Sequence, residues 1–312
     1  MRDHGGGIDA ARDRWGGERS DWLDLSTGVN PVPWGGAAPA AELPPDAWTA
    51  LPDRSAAAAF EDAARRLWRI PGGAGALALP GASAAIALLP RLEAPGRVAI
   101  PGPTYNEHAA AFRAAGWSEA GPSDAFVAVH PNNPDGRVWS ADAIPPARLT
   151  VIDESFCDVA PDASLIALAE RPGVVVLKSV GKFWGLAGLR LGLAAGDPDR
   201  LAALAEALGP WPVSGPALAV GARALADTAW IEATRARLAR DAARLDALLS
   251  LHAEPAGGTD LFRLVRLGGA HALADRLAER RILVRRFPWA DDLLRFGLPG
   301  PQDWPRLEAA LA

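Results

Sequence analysis

Of the 32 basic residues in this 312-residue chain only two are lysines, Lys178 and Lys182, and they lie within five residues of each other. A primary amine can lose its proton and attack a carbonyl carbon, whereas a guanidinium stays charged. A chain that uses arginine everywhere else has kept lysine at one place, which points to Schiff-base chemistry. An ordinary solvated pair is the other reading, and the neighbouring residues separate the two.

Those neighbours are Ser179-Val180-Gly181-Lys182-Phe183-Trp184-Gly185-Leu186-Ala187-Gly188-Leu189-Arg190, directly after the apolar run Gly173 to Leu177. A short valine-rich run predicts a strand buried on both faces in a sheet covered by helices. Lys182 then lies just past the strand's C-terminal end, the edge at which open α/β sheets bind ligands. The Ser179 hydroxyl and the Arg190 fork suit a phosphate dianion. Two further segments end on similar edges. His130-Pro131-Asn132-Asn133-Pro134-Asp135-Gly136-Arg137 follows the strand-like Phe126 to Val129, and Asp153-Glu154-Ser155-Phe156 follows Leu149 to Ile152. Singly, an aspartate at a strand end caps helices and an Asn-Pro pair shapes turns. Their order, Asn-Pro-x-Gly, then strand-end Asp, then Lys, then Arg, breaks the tie.

In that order the segments resemble the fold-type I pyridoxal-phosphate enzymes, the aminotransferase class I/II superfamily. The resemblance implies an α/β fold, with a large domain of mostly parallel sheet covered by helices plus a small α+β domain. It implies pyridoxal 5'-phosphate as cofactor, with Lys182 and Asp153 as catalytic residues. Lys182 would carry the cofactor, Asp153 would keep its ring nitrogen protonated, and Asn133 would donate to its phenolic oxygen. Ser179 and Arg190 would bind the phosphate. So would Ala82 and Ser83, where Leu79-Pro80-Gly81-Ala82-Ser83 reads as a glycine turn opening a helix with anion-attracting N–H groups. Tyr105, the one tyrosine, follows the strand Val98 to Ile100 and would stack on the ring. Phe156 stands where many relatives have a tyrosine facing the phenolic oxygen. Leu51 stands where relatives often have a tyrosine reaching a neighbouring subunit's phosphate.

The opening His4-Gly5-Gly6-Gly7-Ile8, followed by Leu25-Ser26-Thr27-Gly28-Val29-Asn30-Pro31, looks like that of the threonine-phosphate decarboxylases of cobalamin biosynthesis. By this resemblance Arg295 would meet the substrate carboxylate and Arg285 the substrate phosphate, while His4, Val29 and Asn30 would close over the ligand. The residues alone leave three readings open. These are decarboxylation of a small phosphorylated amino acid, transamination of histidinol phosphate or a related amino acid, and a catalytically silent paralogue. Intact Lys182, Asp153, Asn133 and Arg190 oppose the third.

About half the residues are apolar, enough for one large core and a smaller second lobe. The net charge of -5 argues against nucleic acid. With no apolar leader and no run long enough to cross a bilayer, the chain reads as cytoplasmic. The single cysteine, Cys157, reads as a buried filler, and no metal site is expected. A homodimer is implied by resemblance. The expected large domain spans 35–215, and 1–34 with 216–312 form the small one, with a Pro/Gly/Ala linker from Val32 to Pro45. Helices are expected over Ala56 to Trp68, His108 to Ala115, Pro198 to Leu208, one long region Ala217 to Leu251, Ala270 to Arg280 and Asp303 to Leu311. The small-domain strands are expected at Asp260 to Leu267, Ile282 to Phe287 and Leu293 to Leu298.

Overall fold

The computed structural model describes residues 4–36, 43–119 and 123–312. Helix α1 (Ile8–Trp15) and strand β1 (Leu23–Leu25) come first. A single turn, α2 (Asp46–Thr49), leads to α3 (Arg54–Trp68), whose start Asp53 caps by accepting the Ala56 amide. Alternation then sets in: β2 (Gly75–Leu79), α4 (Ala82–Leu88), β3 (Arg97–Ala99), α5 (Asn106–Ala114) and β4 (Ser118–Glu119). Next come β5 (Ala125–Val129), β6 (Leu149–Asp153), β7 (Val174–Ser179), β8 (Gly192–Gly196) and α6 (Pro198–Leu208). The chain ends with α7 (Gly215–Ala226), α8 (Thr228–Leu249), β9 (Glu254–Thr259), β10 (Phe262–Arg266), α9 (Ala270–Glu279), β11 (Ile282–Phe287), β12 (Ala290–Gly297) and α10 (Trp304–Leu311).

Two compact units result, one of Pro33–Asn133 and Arg137–Glu232, the other of the chain up to Val32, Pro134–Gly136 and Ala233–Ala312. Their bounds differ from the 35–215 and 216–312 read from sequence because α7 packs along α3 and so belongs with the larger unit. Pro134–Gly136 joins the smaller unit, where the Gly258 amide donates to the Asp135 carbonyl at 2.9 Å. Of the expected linker, residues 37–42 lie outside the described residues.

The larger unit holds a seven-stranded sheet in the order β2-β8-β7-β6-β5-β3-β4. It is parallel except at β8, which runs against both β7 and β2. The reason is local: a short loop joins β7 to β8, and parallel neighbours need a longer crossover. Strands β5, β6 and β8 are buried at every position, Thr150 and Asp153 of β6 included, as strands of a sheet covered on both faces are. The smaller unit carries a five-stranded sheet, β1-β11-β12-β10-β9, with β1 parallel to β11 and the rest antiparallel. Helix α9 packs on β11 and β12.

Two expectations are corrected. The single helix expected over Ala217 to Leu251 is two helices, because Asp227 stops α7 and accepts from the Trp230 amide and the Trp34 indole, both at 3.0 Å. The strand read as Asp260 to Leu267 is β10 alone, and it has an unforeseen partner in β9, whose Pro255, Gly257 and Gly258 hide the strand pattern. Among the described residues no helix is long and apolar enough to cross a membrane.

One charge pair is built into the larger core. Lys178 and Glu154 are 2% and 0% exposed, with Nζ 2.5 Å from Oε2. Burial pulls the Lys178 ammonium down, but Glu154 beside it and nearby Asp158 outweigh that and hold it above its ordinary value. Glu154 also accepts from the Leu165 amide and the Ser164 hydroxyl. Removing one partner leaves a buried charge unmatched. Lys178→Ala is therefore expected to cost ~3–5 kcal/mol, and the double change Lys178→Met with Glu154→Gln markedly less; urea midpoints of the two variants check the difference.

Candidate active site

Sheet register in the larger unit brings the predicted residues to one edge. Asp153 at the end of β6 pairs with Val129 of β5 on one side and Leu177 of β7 on the other. Ser179 at the end of β7 pairs with Gly192 of β8, which in turn pairs with Leu79 at the end of β2. The turns that leave these ends carry Asn133, Lys182 and Arg190, and Ala82 with Ser83. Tyr105 follows β3, whose neighbour is β5. Five strand ends thus supply one row of functional side chains, as the parallel order requires.

Asp153 is the most strongly positioned of them. It is 3% exposed; its Oδ1 accepts from the Ser155 amide (3.0 Å) and hydroxyl (2.6 Å), and its Oδ2 from His108 Nε2 at 2.9 Å. Burial pushes its carboxyl up, but the His108 and Ser155 hydrogen bonds and the His108 charge outweigh burial and hold it below the usual carboxylate value. The site therefore keeps a buried carboxylate ionised. His108 is a positioning residue that sequence reading missed. It lies on α5, three residues after Tyr105, and the two rings meet edge to face at 6.1 Å. Tyr105 immediately precedes α5 and His108 sits in its first turn, which brings the two rings together, but no local signal in the sequence marks His108 as the partner of Asp153.

At the other end of the row Arg190 takes a left-handed backbone conformation, with φ 52, and its Nη1 donates to the Ala187 carbonyl. Its guanidinium lies against the Gly81 turn so closely that a Cβ on Gly81 would fall 2.7 Å from Nη2. Gly81, at φ +82, is required there by backbone conformation, and a Cβ would also push the Arg190 guanidinium out of its place. Ser179 Oγ accepts from the Gly181 amide at 3.3 Å, Ala82 is buried and Ser83 is exposed. Lys182, half-buried, holds Nζ 5.5 Å from the centre of the Phe156 ring. The loops of Tyr105 and Asn133 are tied together, since Thr104 Oγ1 donates to Asn132 Oδ1 (2.5 Å) and Asn132 Nδ2 to the Pro103 carbonyl (3.0 Å). This arrangement offers guanidinium, hydroxyl and amide donors at one end, an ionised carboxylate at the other, and an amine beyond β7.

His130, Glu154 and Cys157 also bring ligand atoms within 4.8 Å of one another. The protein already engages them: His130 Nε2 donates to the Ala163 carbonyl, its Nδ1 accepts from the Trp139 amide, and burial raises the Cys157 thiol far above its ordinary value.

In the smaller unit Arg285 of β11 and Arg295 of β12 are direct cross-strand partners. Arg295 is 5% exposed, stacks 4.9 Å from the centre of the Phe262 ring and donates to the Ser26 carbonyl at 2.8 Å. Burial, with the Arg285 charge beside it, pulls its guanidinium down to about 9, so it remains cationic at neutral pH. Asn30 is buried and its Oδ1 accepts from Arg237 Nη2 (2.6 Å), a residue of α8 that the sequence did not single out. Val29 is half-buried and His4 exposed.

A class of enzyme now follows from fold and sequence together. The family model for aminotransferase class I and II matches residues 117–304, and the chain belongs to this family. It is 42% identical over 336 residues to the threonine-phosphate decarboxylase of Pseudomonas aeruginosa, covering 100% of this chain and 97% of that one. The same enzyme of a Sinorhizobium species is also 42% identical, covering 99% of this chain and 97% of that one. Among solved structures, the histidinol-phosphate aminotransferase of Sinorhizobium meliloti in complex with pyridoxal-5'-phosphate has the same fold, with TM-score 0.84 at 18% identity over 98% of this chain and 93% of that one.

The His108–Asp153 pair makes a prediction with a definite sign. Because the native carboxyl lies below its unfolded value, Asp153 stabilises the fold above that value and loses the contribution as pH falls through its native one. Without His108, burial dominates and the native value rises. His108→Ala is expected to cost about 1–3 kcal/mol at neutral pH, a loss that shrinks as the solution is acidified through the carboxylate range. Urea unfolding at a series of pH values measures it.

Proposed function

We propose that this protein is a pyridoxal 5'-phosphate-dependent lyase that decarboxylates L-threonine O-3-phosphate to (R)-1-aminopropan-2-yl phosphate, a step of cobalamin biosynthesis. The observation that carries this reading is the 42% identity to a threonine-phosphate decarboxylase along the whole chain.

The residues present fit the cofactor. A phosphate dianion matches the Arg190 guanidinium pressed onto the Gly81 turn, together with the Ser179 hydroxyl and the amides of Ala82 and Ser83. A protonated ring nitrogen matches the buried, ionised Asp153. Asn133 would donate to the phenolic oxygen, where Phe156 offers no second hydroxyl, and Tyr105 would stack on the ring. When bound, the cofactor supplies the electron sink for the pair left at the substrate's Cα. Lys182 is the amine that would hold the cofactor's aldehyde carbon, and its Nζ would be the group to return a proton to Cα. Arg295 grips the substrate carboxylate and Arg285 its phosphate, while His4, Val29 and Asn30 close over the ligand. By fixing the substrate carboxylate, Arg295 would decide which bond at Cα is set to break.

A cytoplasmic homodimer completes the reading; Trp48, Leu51 and Trp211, 62%, 66% and 56% exposed, are large apolar side chains of the kind a second copy would cover.

The holoenzyme incubated with threonine phosphate and no keto acid is expected to release carbon dioxide and aminopropanol phosphate, and Lys182→Ala to lower that release by about 10²–10⁴-fold or more. Amino-group transfer from histidinol phosphate to a keto acid, without carbon dioxide, would replace decarboxylation by transamination. A protein inert in both assays would leave the silent paralogue.

A further inference from the structure

The glycines after His4 are not equivalent. The Gly6 amide donates to Ser26 Oγ at 2.7 Å, and Ser26 Oγ donates on to Asp24 Oδ1 at 2.5 Å, which pins the N-terminal segment to the end of β1. Gly5 then crosses the Ser26 peptide so closely that a Cβ there would lie 2.3 Å from the Ser26 carbonyl oxygen and 2.9 Å from its carbon. That oxygen is the one that accepts from Arg295 Nη2 at 2.8 Å. From the other side Gly297, two residues beyond Arg295, meets the next peptide, where its Cβ would fall 2.2 Å from the Thr27 oxygen. Gly5 of the N-terminal segment and Gly297 at the end of β12 thus both lie closely against the Ser26-Thr27 backbone. Gly5 is not among the glycines with positive φ, so alanine suits its backbone and space alone forbids it. A Cβ on Gly7 meets nothing within 4 Å.

We infer that position 5 is specificity-determining: the lack of a side chain at Gly5 leaves the Ser26 carbonyl where it holds the Arg295 guanidinium at the angle at which it takes a carboxylate. The inference rests on the proposed role of Arg295. Its physical content is a lever of three contacts. Ser26 is 2% exposed and its amide and hydroxyl are both bound to Asp24, so its carbonyl cannot swing freely. Adding a methyl at Gly5 drives that oxygen by about an ångström to reach ordinary contact, and Arg295, bonded to it and packed on Phe262, turns with it. A displacement of that size at an orienting residue costs on the order of 10²-fold. The effect falls on ligands that carry a carboxylate, because the displaced Ser26 carbonyl is bonded to Arg295.

The test compares Gly5→Ala, Gly7→Ala and Arg295→Lys holoenzymes. For each, KM and kcat for threonine phosphate are measured, together with competitive inhibition by 1-aminopropan-2-yl phosphate, which lacks the carboxylate. Gly5→Ala is expected to raise KM by about 10–100-fold, with a smaller change in kcat and unchanged inhibition by the carboxylate-free ligand. Gly7→Ala is expected to match the parent. If Gly5→Ala weakens both ligands alike, or neither, while Arg295→Lys selectively weakens the carboxylate ligand, the inference is overturned and the role of Arg295 stands. If Arg295→Lys also binds both ligands as the parent does, it is the Arg295 assignment that fails. An unchanged urea midpoint, with inhibition by the carboxylate-free ligand at the parent's strength, separates a local effect of Gly5→Ala from misfolding, and a folded Gly5→Ala that keeps the parent's carboxylate preference sinks the lever.

Discussion

An ionised carboxylate in the dry interior is the constraint around which the larger unit is arranged. Left alone, the Asp153 side chain would take up a proton, since burial penalises the charged form. It stays charged because Ser155 closes a tight turn onto one oxygen and His108 reaches the other. That requirement fixes more than two side chains. Helix α5 must begin directly after Tyr105 for His108 to arrive at the end of β6, and β6 must be central for Asp153 to be screened from water. The edge-to-face contact of Tyr105 with His108 then fixes the aromatic by the same geometry that orients the carboxylate.

The two lysines show how one strand edge serves two purposes. Successive residues on a strand point to opposite faces. Asp153 and Glu154 are neighbours, and so are Lys178 and Ser179, yet each pair is divided between the catalytic row and the interior behind it. Glu154 and Lys178 join each other across β6 and β7, while Asp153 and Ser179 serve the row. A buried ion pair of this kind is weak evidence for net stability, since desolvation offsets most of the attraction. What it does supply is register: only one alignment of β6 with β7 lets both charges be matched, and that alignment also sets the spacing of Asp153 from Ser179.

Much of this was legible in the sequence, for a physical reason. Residues that leave strand ends are read directly from apolar runs followed by polar turns, so Asp153, Ser179, Lys182, Asn133 and Tyr105 were found where the strands stop. Partners from elsewhere in the chain were not. His108 is 45 residues from Asp153, and nothing local marks a buried histidine on a helix as the partner of that carboxylate. Lys178 looked like half of a lysine pair and proved to be the mate of Glu154. Strand β9 was hidden because its Pro255, Gly257 and Gly258 suit a strand only where a partner, here β10, dictates the pairing. The break at Asp227 was hidden because alanine-rich sequence on both sides favours continuous helix, and the cap depends on Trp34 nearly two hundred residues away.

In the smaller unit the same logic runs with the sign reversed. Two guanidiniums placed directly across from each other on β11 and β12 repel, a cross-strand arrangement that costs about 0.2–1 kcal/mol where an opposite pair would gain it. The nearby Asp24 charge works against both burial and the Arg285 charge at Arg295, while Asp275 pairs with Arg286, and Asp292 with Arg266. Arg295 also receives a backbone carbonyl and an aromatic face, contacts that orient a guanidinium without neutralising it. A ligand with two anionic groups would offset the repulsion between the two guanidiniums more fully than a ligand with one.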